Sequence, residues 1–411
     1  MYSFTKLIKQ NTSYLAASEA VSMIVLFSVT VIIARTLGDT MYGQFAFIIA
    51  FAQLFQVLAD FGLNIIGVRE LSTHKTEFQK YLSNFLGLKL IVSILTFVLI
   101  LLATQVLNKP DIIKHLIYIA GGYIVFYTGA DFLRSVFRAQ EKFKYEALTK
   151  ISQHVLLLLL VLMAARDNSL SQFAWAYFIS AIYATLITAW IVWKRFSHFS
   201  FAFDSQLIRI LIKESWPLAL ANVFVVIYFR IDTIMLSLMQ SDRETGWYNA
   251  AYLLIFSLAF FAYIIIMSVY PRLTQLVRES LPDAKRLYRQ SLLLVTAAGI
   301  VILGIATLIA RHIIPLLYGP EFLPAVRIFY ILALAVFFSY LAHVWLYTLN
   351  ALGKQKIYTW ATAIGMVLNL LLNFLFIPRY SYIGAAWTTV ATEVVSGVII
   401  FIACERLLKH G

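Results

Sequence analysis

Two charged residues, Arg230 and Asp232, stand inside the otherwise apolar stretch NVFVVIYFRIDTIMLSLM, residues 222–239. A charged side chain at the centre of a bilayer costs roughly 2.5–3.5 kcal/mol on insertion scales, so each must face a bundle interior, a partner or water. They are two positions apart, about 200° around a helix, and therefore need different partners. Arg230 can pair with a carboxylate of another helix or bind an anionic group in a water-filled cavity. Asp232 is expected to be structural.

A second group of charges lies in GADFLRSVFRAQEKFKY, residues 129–145. Asp131 and Arg134 are three positions apart and Arg134 and Arg138 are four apart, so the three share one face of a helix. Two arrangements are open. Arg138 reaches the lipid headgroups while Asp131 pairs with Arg134, or the arginines form a ladder that guides a phosphate, because Arg presents a bidentate fork to phosphate oxygens.

Other polar residues in apolar stretches are weaker candidates. Glu19 and Glu393 are expected to hydrogen-bond between helices, with coupling to a cation as the alternative. Asn369 and Asn373 share a helix face, where contact with another helix is the expectation and sugar binding the alternative. Lys89 is expected to extend its ammonium group to the headgroups. No spacing typical of a metal site occurs, so we expect no cofactor, with Na⁺ or H⁺ as the alternatives for a coupling ion.

The elements that must hold these residues are membrane-spanning helices. The chain has 411 residues, of which 61% are hydrophobic and 13% charged, against roughly 45–50% and about 25% in a soluble domain. Apolar runs of about 20 residues, enough to cross a bilayer core of roughly 30 Å, recur along it. We predict an all-α polytopic membrane protein with twelve transmembrane helices, near residues 13–35, 42–63, 82–105, 113–137, 147–165, 170–193, 214–239, 246–270, 291–314, 325–350, 357–377 and 382–404.

The distribution of Lys and Arg predicts the orientation of these helices. One set of helix ends carries 22 basic residues and the opposite set carries eight. Because basic residues accumulate on the cytoplasmic side, both termini are predicted to be cytoplasmic. The same rule accounts for the net charge of +13, so no nucleic-acid partner is expected.

Several kinds of chemistry are missing from the sequence. There is no G-x-x-x-x-G-K-[ST] phosphate loop, and no loop exceeds about 25 residues, which leaves no room for a soluble catalytic domain. The one cysteine, Cys404, excludes an intrachain disulfide. We therefore predict a transporter and not an enzyme.

The two halves of the chain resemble each other weakly. QFAWAYFIS at 172–180 aligns with GAAWTTVAT at 384–392, and the same offset aligns FRAQEKFKYEA with LNALGKQKIYT. We therefore predict two six-helix bundles, residues 1–200 and 201–411. Repeats of the same orientation are related by an axis along the membrane normal and tend to enclose a central binding cavity.

Four stretches resemble a known family. ARTLGDTMYGQFAFIIAFAQLFQVLADFGLNIIGVREL (34–71) is similar to the first helical hairpin of the polysaccharide transporter family. FRAQEKFKYEA (137–147), the motifs SWPLAL, YFRIDTIML and ETGWYNAAYLL (215–254), and YGPEFLPAVRIFYILA (318–333) follow in the family's order. That family includes the Wzx-type flippases of the multidrug/oligosaccharidyl-lipid/polysaccharide exporter superfamily.

The resemblance implies a flippase that carries a polyprenyl-diphosphate-linked oligosaccharide, a unit of O-antigen, capsule or a similar polymer, from the inner to the outer leaflet of a bacterial-type plasma membrane. Its partners would be that lipid-linked sugar, membrane lipid and, as a further option, polysaccharide polymerase and chain-length proteins. The candidate substrate contacts in the cavity are Arg230, Arg134, Arg138, Asn369 and Asn373. The candidate coupling or structural carboxylates are Glu19, Asp60, Asp131, Asp232 and Glu393.

Two other functions stay open. A multidrug exporter of the same superfamily would exchange organic cations for H⁺ or Na⁺, and it predicts acidic cavity residues. A membrane scaffold of a polysaccharide assembly complex would tolerate the loss of interior charges. The counts of interior basic and acidic residues are too similar to decide between these functions.

Overall fold

The computed structural model describes residues 2–196 and 200–410, with side chains for residues 13–196 and 200–409. Within these ranges the regular elements are helices, as predicted. Long apolar runs form them because a helix satisfies every internal backbone polar group by itself, which lipid requires. The α-helices are α1 Tyr2–Leu54, α2 Gln56–Asp60, α3 Leu63–Thr73, α4 Phe78–Gln105, α5 Asp111–Ala139, α6 Phe143–Ala164, α7 Leu170–Arg195, α8 Ser205–Met239, α9 Asp242–Ser257, α10 Ala259–Glu279, α11 Leu281–Tyr318, α12 Ala325–Ala351 and α13 Gln355–His410.

Ten helical stretches of the described chain are long and apolar enough to cross a membrane. The two longest, Ser13–Thr73 and Gln355–Lys409, contain 61 and 55 residues. Each includes a residue with non-helical backbone angles, Gly38 (φ 70°, ψ 176°) and Ser381 (φ 49°, ψ −135°). These breaks lie between predicted spans one and two and between spans eleven and twelve. The polytopic helical class is confirmed, while the count of twelve spans and the cytoplasmic termini stay predictions.

One predicted span contains a break that the sequence analysis did not predict. The span placed at 42–63 leaves the helical conformation at Phe61 (φ 51°) and Gly62 (φ 72°), and the chain is helical again in α3. A Cβ atom at Gly62 would lie 2.8 Å from the carbonyl oxygen of Ser215, so both the positive φ and the close approach favour glycine. Because the helix ends here, backbone carbonyl groups at the end of α2 lack hydrogen-bond partners within the helix, inside a membrane-spanning stretch.

The first of two compact units comprises residues 1–37 and 48–226. In it α5 packs against α3 and α7, and α6 packs against α7. Phe85, Phe132 and Phe137 lie in its hydrophobic core and are fully buried. Large aromatic side chains of this kind bring α4 and α5 together, which fixes where the charged residues of α5 lie.

The second unit comprises residues 38–47 and 227–411. Here α12 packs against α9, α10, α11 and α13. A segment of α1, residues 38–47, crosses α9 so closely that a Cβ on Gly43 would overlap the Asp242 carbonyl oxygen, and one on Gly246 the Asp39 carbonyl oxygen. Cys404 is fully buried in this unit, and its thiol donates to the Trp345 carbonyl (3.4 Å). The division into six-helix bundles at residue 200 stays a prediction.

Candidate functional site

The first polar cluster lies in the first unit around Arg138. Its Nη2 donates to Asp131 Oδ1 and its Nε to Glu146 Oε1, both at 2.8 Å. Asn64 Nδ2 donates to the other Asp131 oxygen at 2.5 Å. The prediction that Asp131 pairs with Arg134 is therefore wrong. The Asp131 carboxylate accepts instead from Arg138, which lies two helical turns further along α5. Arg138 joins two carboxylates and is partly exposed, and its position relative to the lipid headgroups stays a prediction.

Arg134 lies in the same cluster and is 2% exposed. It donates to Gln153 Oε1 (2.7 Å) and to the hydroxyl and carbonyl oxygens of Thr149 (both 3.3 Å). All three acceptors are neutral, so these bonds orient the guanidinium without cancelling its charge. The side chain is not open to a ligand in this conformation, and its predicted contact with substrate stays a prediction.

Lys89 and Asp60 lie at the break between α2 and α3. Lys89 is 6% exposed, and its Nζ donates to the Ala59 carbonyl oxygen at 2.6 Å. The prediction that Lys89 reaches the headgroups is thus wrong, because a carbonyl freed at the end of α2 receives its ammonium group. Asp60 Oδ2 accepts from the Gly62 amide at 3.2 Å. Its Oδ1 is buried without a hydrogen-bond partner among the described residues.

Glu19 pairs with Lys150 at 2.5 Å. The Glu19 side chain is 48% exposed and that of Lys150 is 21% exposed. An ion pair exposed to this extent contributes little to stability, typically about 0–1 kcal/mol. The role predicted for Glu19, as a coupling or structural carboxylate, stays a prediction.

The second polar cluster lies in the second unit around Asp232, which is 3% exposed. Asp232 Oδ2 accepts from the Tyr248 hydroxyl (2.6 Å) and from the Thr389 hydroxyl (2.9 Å), and Oδ1 accepts from Asn373 Nδ2 (2.5 Å). Asn373 Nδ2 also donates to Asn369 Oδ1 at 3.0 Å. We call these five residues the Asp232 cluster. The oxygens of this carboxylate accept hydrogen bonds from neutral donors, none of which carries a balancing positive charge.

The remaining candidates lie near this cluster in the sequence. Glu393 is 9% exposed and accepts from the Tyr228 hydroxyl at 3.0 Å. Arg230 is partly exposed, two positions before Asp232. Both asparagines of the sequence analysis contact buried protein groups, and their predicted role in binding sugar stays a prediction.

Sequence reasoning missed several residues of these clusters. Tyr248, Thr389 and Gln153 supply bonds to predicted site residues, yet a single Tyr, Thr or Gln in an apolar run gives no distinctive signal. Sequence reasoning also missed the contacts of Asp39 with α9. The Asp39 carboxylate accepts from Arg243 Nε (2.7 Å) and from Trp247 Nε1 (3.0 Å). The Arg243 guanidinium stacks on the Trp247 ring with 5.0 Å to its centre. The available signal was one glycine in each crossing segment, Gly43 in TMYGQ and Gly246 in ETGWYN.

Comparison with known proteins places this architecture in a family. The family model described as polysaccharide biosynthesis protein matches residues 8–277, and the MatE model matches residues 217–375. The "Putative O-antigen transporter" of Escherichia coli K12 is 22% identical over 98% of both chains. An uncharacterized membrane protein of Methanocaldococcus jannaschii is 23% identical over 94% of this chain and 82% of that protein.

Solved structures share the fold. The lipid II flippase MurJ in an inward closed conformation superposes with a TM-score of 0.76 at 15% identity, covering 96% of this chain and 87% of MurJ. An inward-facing multidrug resistance MATE family transporter gives a TM-score of 0.69 at 12% identity, covering 95% and 96%. With the family match extending over well over half of the sequence, the chain belongs to the polysaccharide biosynthesis protein family.

Proposed function

We propose that the protein is a flippase that moves a polyprenyl-diphosphate-linked oligosaccharide from the inner to the outer leaflet of the plasma membrane. The observation that carries this proposal is the similarity, over 98% of both chains, to a protein described as "Putative O-antigen transporter". The proposal includes twelve spans, cytoplasmic termini and a central cavity that opens alternately to each side. Polysaccharide polymerase and chain-length proteins would act with it on the exported unit.

The physical task explains why such a protein is needed. Moving a sugar and a diphosphate through hydrocarbon leaves polar groups without hydrogen bonds, at several kcal/mol for each group. A polar path removes most of that barrier while the prenyl chain stays in the bilayer. The carrier therefore needs fixed positive charge and hydrogen-bonding groups within its membrane-spanning part.

The arrangement of basic groups supports an anionic cargo. Arg134 is buried among neutral acceptors, so its positive charge is not cancelled by those bonds. The carboxylates of Asp131 and Glu146 lie in the same cluster and pair with Arg138, so a diphosphate would compete with them for the guanidinium groups. Arg230, partly exposed in the last third of α8, is the proposed direct contact for the anion.

The Asp232 cluster supports coupling to Na⁺ or H⁺. Asn373 Oδ1 is buried and without a hydrogen-bond partner among the described residues. With the Asp232 carboxylate and the Thr389 hydroxyl, it provides uncharged and charged oxygen ligands of the kind that hard cations prefer. A proton on the carboxylate would relieve the same buried charge, so both ions fit the residues present.

A multidrug exporter is the second candidate, and the MatE match over residues 217–375 favours it. The two are separated by replacing Arg134 and Arg230 singly with Gln in a strain that lacks the chromosomal copy. Arg311→Gln is the matched control, because this arginine is exposed on α11. Surface glycan, protein level in the membrane and efflux of a cationic dye are measured.

We expect both interior variants to lose most surface glycan at normal protein level, with dye efflux and the control unchanged. Normal glycan together with altered dye efflux would replace the proposal by the multidrug exporter. Normal glycan and normal efflux in both variants, with glycan lost only when the whole protein is removed, would indicate a scaffold.

A further inference from the structure

The chain just before α8 is tied to the start of α4. The Ala202 amide donates to the Ser83 carbonyl oxygen (3.2 Å), and the Asp204 amide donates to Asn84 Oδ1 (2.7 Å). A Cβ atom on Gly87 would lie 2.6 Å from the Ala202 carbonyl oxygen, so the two backbones are in direct contact. These contacts fix the path of the chain over α4.

The first turns of α8 are fixed to the same unit. Asp204 Oδ1 accepts from the amides of Gln206 (3.0 Å) and Leu207 (3.3 Å), as the cap of a helix start does. Leu207 and Leu211, four positions apart, are 7% and 0% exposed in the hydrophobic core of the first unit. One face of this helical segment is therefore buried, and the opposite face is exposed.

The exposed side of this region carries aromatic rings. Phe201 and Phe203 are 59% and 57% exposed, and Trp216 is 51% exposed. Trp190, near the end of α7, is 52% exposed, and the next residue along α7, Ile191, belongs to the same core as Leu207. Exposed apolar rings grouped in one region mark an interaction surface.

Basic residues lie among these rings. The four that are exposed, and that form no ion pair within the described part of the chain, are Lys194, Arg195, Arg209 and Lys213. The Lys194 ammonium group lies over the Trp190 ring, 5.0 Å from its centre. Glu214, the acidic residue beside them on α8, already accepts from Arg69 of α3. We call these four rings and four cations, all of the first unit, the aromatic–basic surface.

The length of α8 places part of this surface beyond the hydrocarbon. The helix has 35 residues, about 52 Å at 1.5 Å per residue, and even at a tilt of 40° it would cover about 40 Å. The hydrocarbon core is roughly 30 Å thick. The last seven residues of the helix, 233–239, carry no charge, whereas Arg209 and Lys213 lie within its first nine. The excess length is therefore at the first end, in the headgroup layer.

The positive charge alone has a simpler explanation, because basic residues accumulate in cytoplasmic loops whatever they bind. That rule does not account for exposed aromatic rings, among those charges, on a backbone held in place by hydrogen bonds. At a membrane boundary the combination is typical, since rings lie at the level of the headgroups while Lys and Arg attract an anionic lipid surface. A zwitterionic headgroup would give the cations no net charge to balance.

We propose that the aromatic–basic surface binds anionic phospholipids of the adjacent leaflet, which is the inner one in the predicted orientation. The cations pair with the phosphate groups, and the rings lie beneath them at the start of the acyl chains. The lipid acts here as a fixed partner of the first unit and not as cargo, so the inference does not depend on the proposed function.

The test uses the full-length protein with Ser205→Cys carrying an environment-sensitive fluorophore. Ser205 is exposed at the start of α8, and the native Cys404 is fully buried, so the label is confined to one position. The protein in neutral detergent micelles is titrated with dioleoylphosphatidylglycerol. Dioleoylphosphatidylcholine, which has the same acyl chains and no net charge, and a polyprenyl diphosphate are the comparison titrants.

Three paired substitutions separate charge from shape. Arg209→Gln/Lys213→Gln removes two cations of the surface, and Arg209→Lys/Lys213→Arg keeps both charges. The matched control is Arg286→Gln/Arg289→Gln, which removes two exposed cations from α11 in the second unit. A fourth pair, Phe201→Ser/Phe203→Ser, removes two rings without changing charge. Thermal unfolding confirms that each variant is folded before it is titrated.

We expect phosphatidylglycerol to reach half-saturation at a concentration at least about tenfold below that of phosphatidylcholine. Each cation near an anionic surface contributes about a fivefold gain in affinity. The glutamine pair on α8 should therefore raise the half-saturation for phosphatidylglycerol by about 5- to 30-fold and leave that for phosphatidylcholine unchanged. The charge-keeping pair and the α11 control should change it by less than about twofold. The serine pair should weaken both lipids alike, because it removes contacts that do not depend on the headgroup.

Four outcomes would overturn the inference. Equal half-saturation for the two phospholipids would mean that the surface does not select charge. An equal loss in the glutamine pairs of α8 and α11 would mean that the effect is not local. A loss in the charge-keeping pair as large as in the glutamine pair would assign it to shape. Saturation by polyprenyl diphosphate far below phosphatidylglycerol would assign the surface to the cargo. The titration needs no transport, so a refuted flippase would leave this result unaffected.

Discussion

The crossing of residues 38–47 over α9 can be tested with one added methyl group. Gly246→Ala would place a Cβ atom on the Asp39 carbonyl oxygen, and Gly43→Ala would do the same at the Asp242 carbonyl oxygen. Both obstacles are backbone atoms, so no side-chain rotation relieves the overlap and the two segments must separate. Added methyl groups in a packed core typically cost about 1–3 kcal/mol.

The matched control is Gly304→Ala on α11, where an added Cβ meets no atom within 4 Å. Alanine is the better helix former, and at a compatible site this change stabilises by about 0.4–1 kcal/mol. Both variants gain this helix propensity, so the difference between their stabilities reports the cost of the steric overlap alone. For a unit of roughly 200 residues, 1 kcal/mol shifts the Tm by about 2–4 °C, so Gly246→Ala should melt about 2–12 °C below Gly304→Ala.

The assay is thermal unfolding of the purified protein in one detergent. The double variant Gly43→Ala/Gly246→Ala gives a second signature. A single separation of the segments relieves both overlaps, so the loss of Tm should be smaller than the sum of the two single losses. Equal Tm values for Gly246→Ala and Gly304→Ala, or strict additivity in the double variant, would refute the close crossing.

Four further substitutions test the polar groups, three of them at buried or partly buried sites and one in an exposed ion pair. Arg138→Gln removes the cation shared by two carboxylates and should lower the unfolding free energy by about 2 kcal/mol, below the roughly 3–5 kcal/mol of a fully buried pair because Arg138 is partly exposed. Lys150→Gln, in an exposed pair, should change it by less than about 1 kcal/mol. Lys89→Met leaves the carbonyl at the end of α2 unsatisfied and should cost about 1–3 kcal/mol in thermal or denaturant unfolding; an unchanged stability would mean that this bond contributes nothing. Asp232→Asn keeps the shape but not the charge, and should abolish surface glycan at normal protein level; glycan export that persists would contradict ion coupling at this carboxylate.

The helical breaks between spans were predictable because their signals are local. Gly38 lies between predicted spans one and two and Asn168 between spans five and six, and the structure shows positive φ at both. The non-helical backbone at Ser381 lies between predicted spans eleven and twelve. Glycine and asparagine tolerate this conformation, so residue type indicates the position at Gly38 and Asn168, whereas Ser381 carries no such signal.

The partners of the buried charges were not predictable in the same way. Asp131 was paired with its neighbour at three positions, whereas the structure joins it to Arg138, seven positions on. Asp232 receives bonds from residues 16, 157 and 141 positions away. Such contacts depend on which helix faces meet, and uniformly apolar helices carry little information about their own orientation. The partner of Lys89 was unpredictable for a related reason. Its acceptor, the Ala59 carbonyl, is available only because the helix is interrupted between α2 and α3.

The burial of Cys404 has a practical consequence for thiol chemistry. It is the only cysteine of the chain, it is fully buried, and its sulfur donates to the Trp345 carbonyl. Maleimide and spin-label reagents react with accessible thiolates, so the unmodified protein should give little background. Reporter cysteines can then be introduced along either half of α13 without first deleting a native one, which makes distance measurements in the intact transporter practical.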